Sequence, residues 1–390
     1  MNKSVSPGRI GIDARALIPG KTGIGVYLSE ILKEWLAKDS RIRFELFSHR
    51  PIDFPEQERI VQQVAGVRQG LPWYLFRSHR PVNLAKPDVY WGVQSLLPLG
   101  LSNHIPAILT IHDCVHLLGA KFAPSLVYNW LHRLFLPVSI RRARRIVTDS
   151  SFVAEQIGKF YQVPPEKRVV IPLGVSQAFF RAGRADTRDP EVLQRYGIQK
   201  PFLLGVGSLE PRKNLKTLLR AWQQMPDSIR GKYQLVLAGK PGWRLKELQG
   251  ELKETQKKSN LLLTGYVPET DLPQLYAQAE LFVFPTFYEG FGLPVLEAMA
   301  SGCPVVASNS SSLPEVIGDA AMTLSPEQPP ADWGRAIWTV MNEDALRHSL
   351  SARGLRQAAL FPWERCARET ARVFDELRAG ETLKKEGAAG

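Results

Sequence analysis

Hydrophobic residues recur along this chain in short apolar runs that alternate with amphipathic stretches, the pattern of strands and helices taken in turn. In the first half the runs at 10–12, 44–47, 89–91, 107–111, 145–148 and 169–172 read as strands, and 26–36 reads as an amphipathic helix. The second half repeats the rhythm, with strands at 202–206, 234–238, 261–264, 281–285 and 305–307 and helices over 215–224 and 272–279. Alternation of this kind implies α/β architecture, here two Rossmann-like, doubly wound parallel-sheet domains in series. The polar stretch 181–190 breaks the pattern and is the expected linker, dividing a first domain at 1–180 from a second at 190–360. Beyond the Pro362 breaker, 363–380 reads as a further amphipathic helix. Residues 62–82 resolve poorly, so Trp73, Tyr74 and Phe76 either line an acceptor cleft or fill a core.

The most informative stretch is 281–304, LFVFPTFYEGFGLPVLEAMASGCP. A buried strand ends in a loop too rich in glycine and aromatic residues to extend it, and a helix is expected from Leu293. Pro294 suits its first turn and Gly302 its end. A strand, glycine loop and helix in this order bring backbone amides and a helix N-terminus to the carboxyl end of a parallel strand, a place suited to anionic or hydroxyl-bearing ligands. Glu289 lies in the loop. Glu297 falls about 200° round the helix from Val295, off the apolar face made with Leu296 and Met299. Two carboxylates so placed suit the gripping of a polyol such as a sugar or ribose. A solvated loop glutamate and a first-turn glutamate favoured by the helix dipole are the plainer alternative.

Composition fits a globular protein, with 44% hydrophobic and 23% charged residues, which argues against long disorder. No run approaches the roughly 18 apolar residues of a membrane span, and the N-terminal MNKSVSPGRIGID lacks a signal-peptide core, so a cytoplasmic protein is expected. Cys114, Cys303 and Cys366 are too few and too far apart for a disulfide framework or a metal-ligand pattern. Charge is uneven. Through residue 180 there are 23 Lys and Arg against 13 Asp and Glu, whereas beyond it there are 27 against 25. Part of the surplus is Arg141, Arg142, Arg144 and Arg145, just after the apolar segment YNWLHRLFLPVSI. Such a cluster is a solvated helix face or marks an anionic partner. Trp130, Leu131, Leu134, Phe135 and Leu136 point toward peripheral contact with an anionic membrane at its inner face, or a lipid-linked substrate. No nucleic-acid reading motif accompanies it.

Three other places carry candidate chemistry. Gly23 and Gly25 lie in the loop after the first strand. They let backbone amides approach a phosphate or sugar, or simply make a tight turn; with Leu28 where a third glycine would stand, they are weak evidence for a dinucleotide. His112 sits at the carboxyl end of the 107–111 strand, where ligands of open α/β sheets collect. Arg212 and Lys213, in the loop GSLEPRKN ahead of a helix, suit a diphosphate, the arginine bidentately and the lysine as a point charge. The chain has no Asp-x-Asp pair. No metal and no other cofactor is therefore expected, fixed cations and helix N-termini taking that part.

The E-x7-E spacing of Glu289 and Glu297 within YEGFGLPVLEAMASGCPVVAS resembles the signature of retaining, nucleotide-sugar-dependent glycosyltransferases of family 4, which have the GT-B fold. The resemblance covers most of the chain. It implies that Lys213 meets the donor diphosphate, that Glu297 binds the ribose hydroxyls, and that Glu289 binds the transferred sugar with the amides around Phe291, Gly292 and Leu293. It also implies that His112 reaches that sugar from the opposite domain and that the last helix crosses back to the first. The chain departs from a common family pattern in having Ser208 where an arginine is usual, a place Arg212 takes over on this reading. The TGIGVY and SLEPRKN loops resemble bacterial mannosyl- and rhamnosyltransferases of surface polysaccharide assembly. Mannose from GDP-mannose, moved to a glycan or polyprenyl-diphosphate-linked acceptor, is the expected reaction, with rhamnosyl or glucosyl transfer, or an epimerase or dehydrogenase, as alternatives. A sugar-nucleotide-binding protein without activity would need Lys213 and Glu297 but neither His112 nor Glu289.

Overall fold

The computed structural model describes residues 8–20, 23–38, 42–68, 70–119, 122 and 125–387. The described residues form two compact units. The first draws on the described residues within 8–117, 125–174 and 363–387, the second on 118, 119, 122 and 175–362. The chain thus passes from one unit to the other at Gly174 and Val175, ahead of the polar stretch 181–190. The short helix Gln177–Ala182 already belongs to the second unit, where Phe179 meets the ring of Tyr276 at 5.9 Å.

In the first unit, seven parallel strands form one sheet: β1 (Arg9–Asp13), β2 (Arg43–Ser48), β3 (Ile60–Val64), β4 (Val89–Gly92), β5 (Ala107–Ile111), β6 (Arg145–Thr148) and β7 (Arg168–Val170), in the order β3-β2-β1-β4-β5-β6-β7. Every residue of β4 and β5 is buried, which is why these strands read as unbroken apolar runs. The stretch around 62–82, poorly legible in sequence, holds most of the edge strand β3 and of the helices Gly70–Phe76 and His79–Ala85. Trp73 and Tyr74 are core residues, while Phe76 is exposed. The last helix, Trp363–Gly387, lies on the helix Gly23–Lys38. The indole of Trp35 donates to the carbonyl of Ala367 at 2.8 Å, and Phe374 packs edge-on against Trp35 and Trp91.

The second unit has six parallel strands: β8 (Phe202–Val206), β9 (Gln234–Ala238), β10 (Leu261–Gly265), β11 (Leu281–Phe284), β12 (Val305–Ser308) and β13 (Met322–Leu324), in the order β10-β9-β8-β11-β12-β13. Trp222 and Trp333 fill its core. In both sheets the strand order reverses once, between β1 and β4 and between β8 and β11. At such a reversal the connecting helices leave toward opposite faces and open a crevice at the carboxyl ends of the strands. The loops that follow β8 and β11 carry Lys213 and Glu289.

Candidate functional site

The loop after β8 tightens into the turn Pro211–Lys213, and the loop after β11 runs from Pro285 to Gly292. The two are stitched together. The amide of Phe287 and the hydroxyl of Thr286 both donate to the carbonyl of Arg212, at 2.8 and 2.9 Å. Asn214, in the left-handed region with φ 53°, donates to the carbonyls of Pro285 and Pro326. A serine run fixes the far side of the loop. Ser308 and Ser310 donate to the carbonyl of Thr286, Ser312 shares its one hydrogen between those of Phe291 and Glu289, and Ser311 accepts from the amide of Glu289.

This framework presses four charged side chains together. Glu289 Oε1 accepts from Lys213 Nζ at 2.7 Å and from Arg212 Nη1 at 3.0 Å, and lies 3.1 Å from Thr286 Oγ1. Arg212 Nε also pairs with Glu210 Oε1 at 2.5 Å, and its Nη1 donates to the carbonyl of Tyr288. Lys213 Nζ sits 4.7 Å from the ring centroid of Phe284. Gly207, with φ 137°, lets the lysine run beneath the turn, since a Cβ there would come within 3.1 Å of Lys213 Cε. Burial works to raise the Glu289 carboxyl, yet Arg212 and Lys213 outweigh it and hold it below the ordinary range. Burial lowers Lys213, and Glu289 offsets part of that. Burial raises Glu210. The site is therefore not the bare positive patch that Arg212 and Lys213 suggest in sequence. It is a near-neutral quartet in which each cation already has a carboxylate.

Glu297 stands apart, in the first turns of the helix Leu293–Ala300. Tyr276 donates its hydroxyl to Glu297 Oε2 at 3.0 Å. Burial pushes the carboxyl up to about 8 against that hydrogen bond, with Glu269 adding to the rise and Lys213 opposing it. Lys213 thus acts electrostatically on both Glu289 and Glu297. Pro294 occupies the first turn as its missing N–H allows, and Phe291 is buried beside Gly292. At Gly292, φ is 116° and a Cβ would lie 2.5 Å from Leu313 Cδ2, so only glycine fits ahead of Leu293.

His112, Gly23 and Gly25 belong to the first unit. Gly23 and Gly25 lie within the first turn of the helix Gly23–Lys38 and not in a loop before it. The helix starts about three residues earlier than its apolar pattern, because first-turn residues need not face the core. Their amides still stand at a helix N-terminus, where intrahelical partners are lacking. His112 follows β5, with Nδ1 2.7 Å from Asp149 Oδ2 and Nε2 3.0 Å from the carbonyl oxygen of Val93. Cys114, two residues on, is buried, and burial pushes its thiol up well above the ordinary range. Among the described residues no three His, Cys, Asp or Glu side chains gather as metal ligands.

Sequence reasoning missed Glu210, Tyr276, Asp149 and the serine run. Glu210 could have been suspected from its place in GSLEPRKN, and the serines from SNSSS at a strand end. Tyr276 and Asp149 have no local signal, since their partners lie 21 and 37 residues away.

Residues 190–357 match the family described as Glycosyl transferases group 1, and residues 21–179 match Glycosyltransferase Family 4. The O-antigen chain mannosyltransferase B of Escherichia coli is 36% identical over 293 residues, covering 75% of each chain. The chain belongs to the family-4 glycosyltransferases. Serotype-specific mannosyltransferase WbdA of Escherichia coli is 30% identical over 69% of this chain, a match that spans only 33% of that longer relative. Among solved structures, the glycosyltransferase WaaG, involved in lipopolysaccharide biosynthesis, superposes with a TM-score of 0.73 at 16% identity, over 93% of this chain and 99% of its own. Anabaena HepE in complex with UDP and glucose gives 0.70 at 17% identity, over 94% and 99%. The two parallel sheets are those of the GT-B fold. As a hexosyltransferase of this family, the chain takes a nucleotide-sugar donor and a glycan acceptor.

Proposed function

We propose that this transferase moves mannose, with retention of configuration, from GDP-mannose to a surface glycan carried on a polyprenyl diphosphate. The observation that carries the reading is the joining of Lys213, Arg212 and Glu289 at the strand-order reversal of the second sheet. The mannosyltransferase relatives support the choice of sugar. Lys213 and Arg212 turn from Glu289 toward the diphosphate. Glu289, freed of them, takes sugar hydroxyls with the amides around Phe291, Gly292 and Leu293, and Glu297 accepts from the ribose. Gly23 and Gly25 offer amides of their own helix N-terminus, and His112 serves the transferred sugar.

When the bond from the anomeric carbon to the diphosphate oxygen breaks, its electron pair stays on the diphosphate, where the two cations and the helix N-terminus stabilise it. The acceptor hydroxyl attacks from the same face and gives its proton to the departing phosphate. Exposing the protein to a panel of nucleotide sugars tests this directly. GDP-mannose is expected to raise the melting temperature most and to be consumed at an unchanged rate in excess chelator, since a ligand stabilises in proportion to its affinity. Greater stabilisation by a rhamnose or glucose donor would move the sugar assignment. Loss of turnover on chelation, restored by one divalent metal, would overturn the metal-free mechanism.

Peripheral contact with an anionic membrane belongs to the same reading. The helix Leu126–Arg142 contains no acidic residue and exposes Val127, Trp130, Leu134 and Val138 along one line, spaced three or four residues apart. Leu136 is core and Leu131 and Phe135 are only partly exposed, so the apolar segment divides between fold and surface. At its end Arg141, Arg142, Arg144, Arg145 and Lys167, with Glu166 among them, line a cavity of about 470 Å³. An apolar stripe beside a basic end suits a helix lying in the headgroup region. No helix among the described residues is long and apolar enough to cross a membrane. Vesicles containing phosphatidylglycerol are expected to sediment the protein and pure phosphatidylcholine vesicles to leave it in solution. The pair Arg144→Glu and Arg145→Glu should weaken that binding by about ten-fold or more, at roughly 1 kcal/mol per basic residue removed. Equal binding to both vesicle types would contradict the contact.

A further inference from the structure

His112 is held at both ring nitrogens by oxygens. Val93, just past β4, offers a carbonyl to Nε2, and Asp149, just past β6, offers a carboxylate to Nδ1. A carbonyl only accepts, and an ionised carboxylate only accepts, whereas a neutral imidazole donates from one nitrogen alone. The arrangement is satisfied when both nitrogens carry hydrogen. The second carboxylate oxygen, Asp149 Oδ1, is buried without a hydrogen-bond partner among the described residues. Asp149 thus leans on His112 alone, a costly use of a buried carboxylate if its task were only to hold the fold together.

We propose that Asp149 is a positioning residue for sugar transfer, keeping His112 as an imidazolium whose Nε2–H is a charge-assisted donor to a hydroxyl of the transferred sugar. This rests on the reading that His112 serves that sugar. Val93 is the resting acceptor of the Nε2–H, and a sugar hydroxyl replaces or shares that acceptor while the proton stays on the ring. A charged donor makes a hydrogen bond about twice as strong as a neutral one. Tyr27, from the helix Gly23–Lys38, sets its ring edge-on to the imidazole at 4.9 Å, Asp113 adds negative charge from the same strand end, and the Cys366 thiol of the last helix lies near Asp149. Burial lowers the histidine's pKa, but Asp149 outweighs it and leaves it above the ordinary value. Burial raises Asp149 as well, so both shifts describe a pair that keeps its shared proton.

Nitrogen-15 spectra of the histidine-labelled protein test the state directly, His112 being assigned by its loss in His112→Ala. Both ring nitrogens are expected to stay protonated at neutral pH, above the ordinary histidine range; a ring with a single N–H at neutral pH overturns the proposal. Asp149→Asn keeps a hydrogen-bonding partner and removes the charge. Relative to the parent at the same pH, its kcat/KM is expected to be about ten-fold lower in alkaline buffer, the ratio returning toward one as the pH falls and the ring of the variant protonates. A profile identical to the parent's in rate and shape would overturn the proposal. Full activity in His112→Ala would instead remove the reading beneath it, that His112 serves the sugar.

Discussion

Replacing Lys213 with methionine is expected to lower kcat/KM by about a hundred- to a thousand-fold, the usual effect of removing one fixed group that stabilises developing charge in a water-poor site. Methionine keeps the length of the stem that passes beneath Gly207 and removes only the charge. The same change strands part of the charge on Glu289, which Lys213 and Arg212 now share. Removing one partner of a buried ion pair costs about 3–5 kcal/mol, and Arg212 remaining in place puts this case at the lower end. The double variant Lys213→Met with Glu289→Gln separates the two effects. Its thermal stability should return most of the way to that of the parent, because no unpaired carboxylate is left, while turnover should stay low. If the double variant regained turnover, Lys213 would act only by holding the loop and not on the leaving group.

Glu297→Gln is expected to weaken nucleotide binding by about ten- to a hundred-fold, the worth of one or two hydrogen bonds to a charged group. It should also change the pH dependence of both binding and stability. In the folded protein this carboxyl sits near 8, against an ordinary value of 4.5. Between those values the folded state holds a proton the unfolded chain has lost. The stability associated with the protonated form is therefore full below about 4.5 and is lost as the pH rises through 8. Glutamine abolishes that loss, so the variant should melt a few degrees higher than the parent at about pH 9 and no higher at about pH 4. Ribose hydroxyls favour the ionised carboxylate, so nucleotide binding by the parent should release a proton below pH 8 and tighten with rising pH. Calorimetry in buffers of different ionisation enthalpy reads the released proton. A parent that binds without releasing one, or a variant with the same pH slope, would show that Glu297 does not meet the ribose.

Much of this architecture is legible in the chain because parallel strands buried on both faces leave unbroken apolar runs. The unit at 281–302 shows it best: strand, loop, Pro294 in the first turn and Gly302 after the helix all stand where the residues indicate. Two of the four edge strands leave a weaker mark. Ile60–Val64 and Met322–Leu324 are half-exposed and broken by polar residues, and neither reads as a strand. The nature of the charges at the site was less legible still. Lys213 and Arg212 read as free cations, because nothing in local spacing says that Glu289, 76 residues on, will reach back to both. Glu210 is near in sequence, yet only burial shows that it shares Arg212 with Glu289. The pairing of His112 with Asp149 depends on β5 and β6 being neighbours in the sheet, which follows from strand order and not from any run of residues.

The most direct test is a crystal structure of the protein with GDP-mannose or an unreactive analogue, grown with magnesium present. A diphosphate oxygen is expected within about 3 Å of Lys213 Nζ, with Glu289 turned to the sugar, the ribose hydroxyls on Glu297 and no metal between protein and diphosphate. A divalent ion bridging the diphosphate while Lys213 remains on Glu289 would contradict the account.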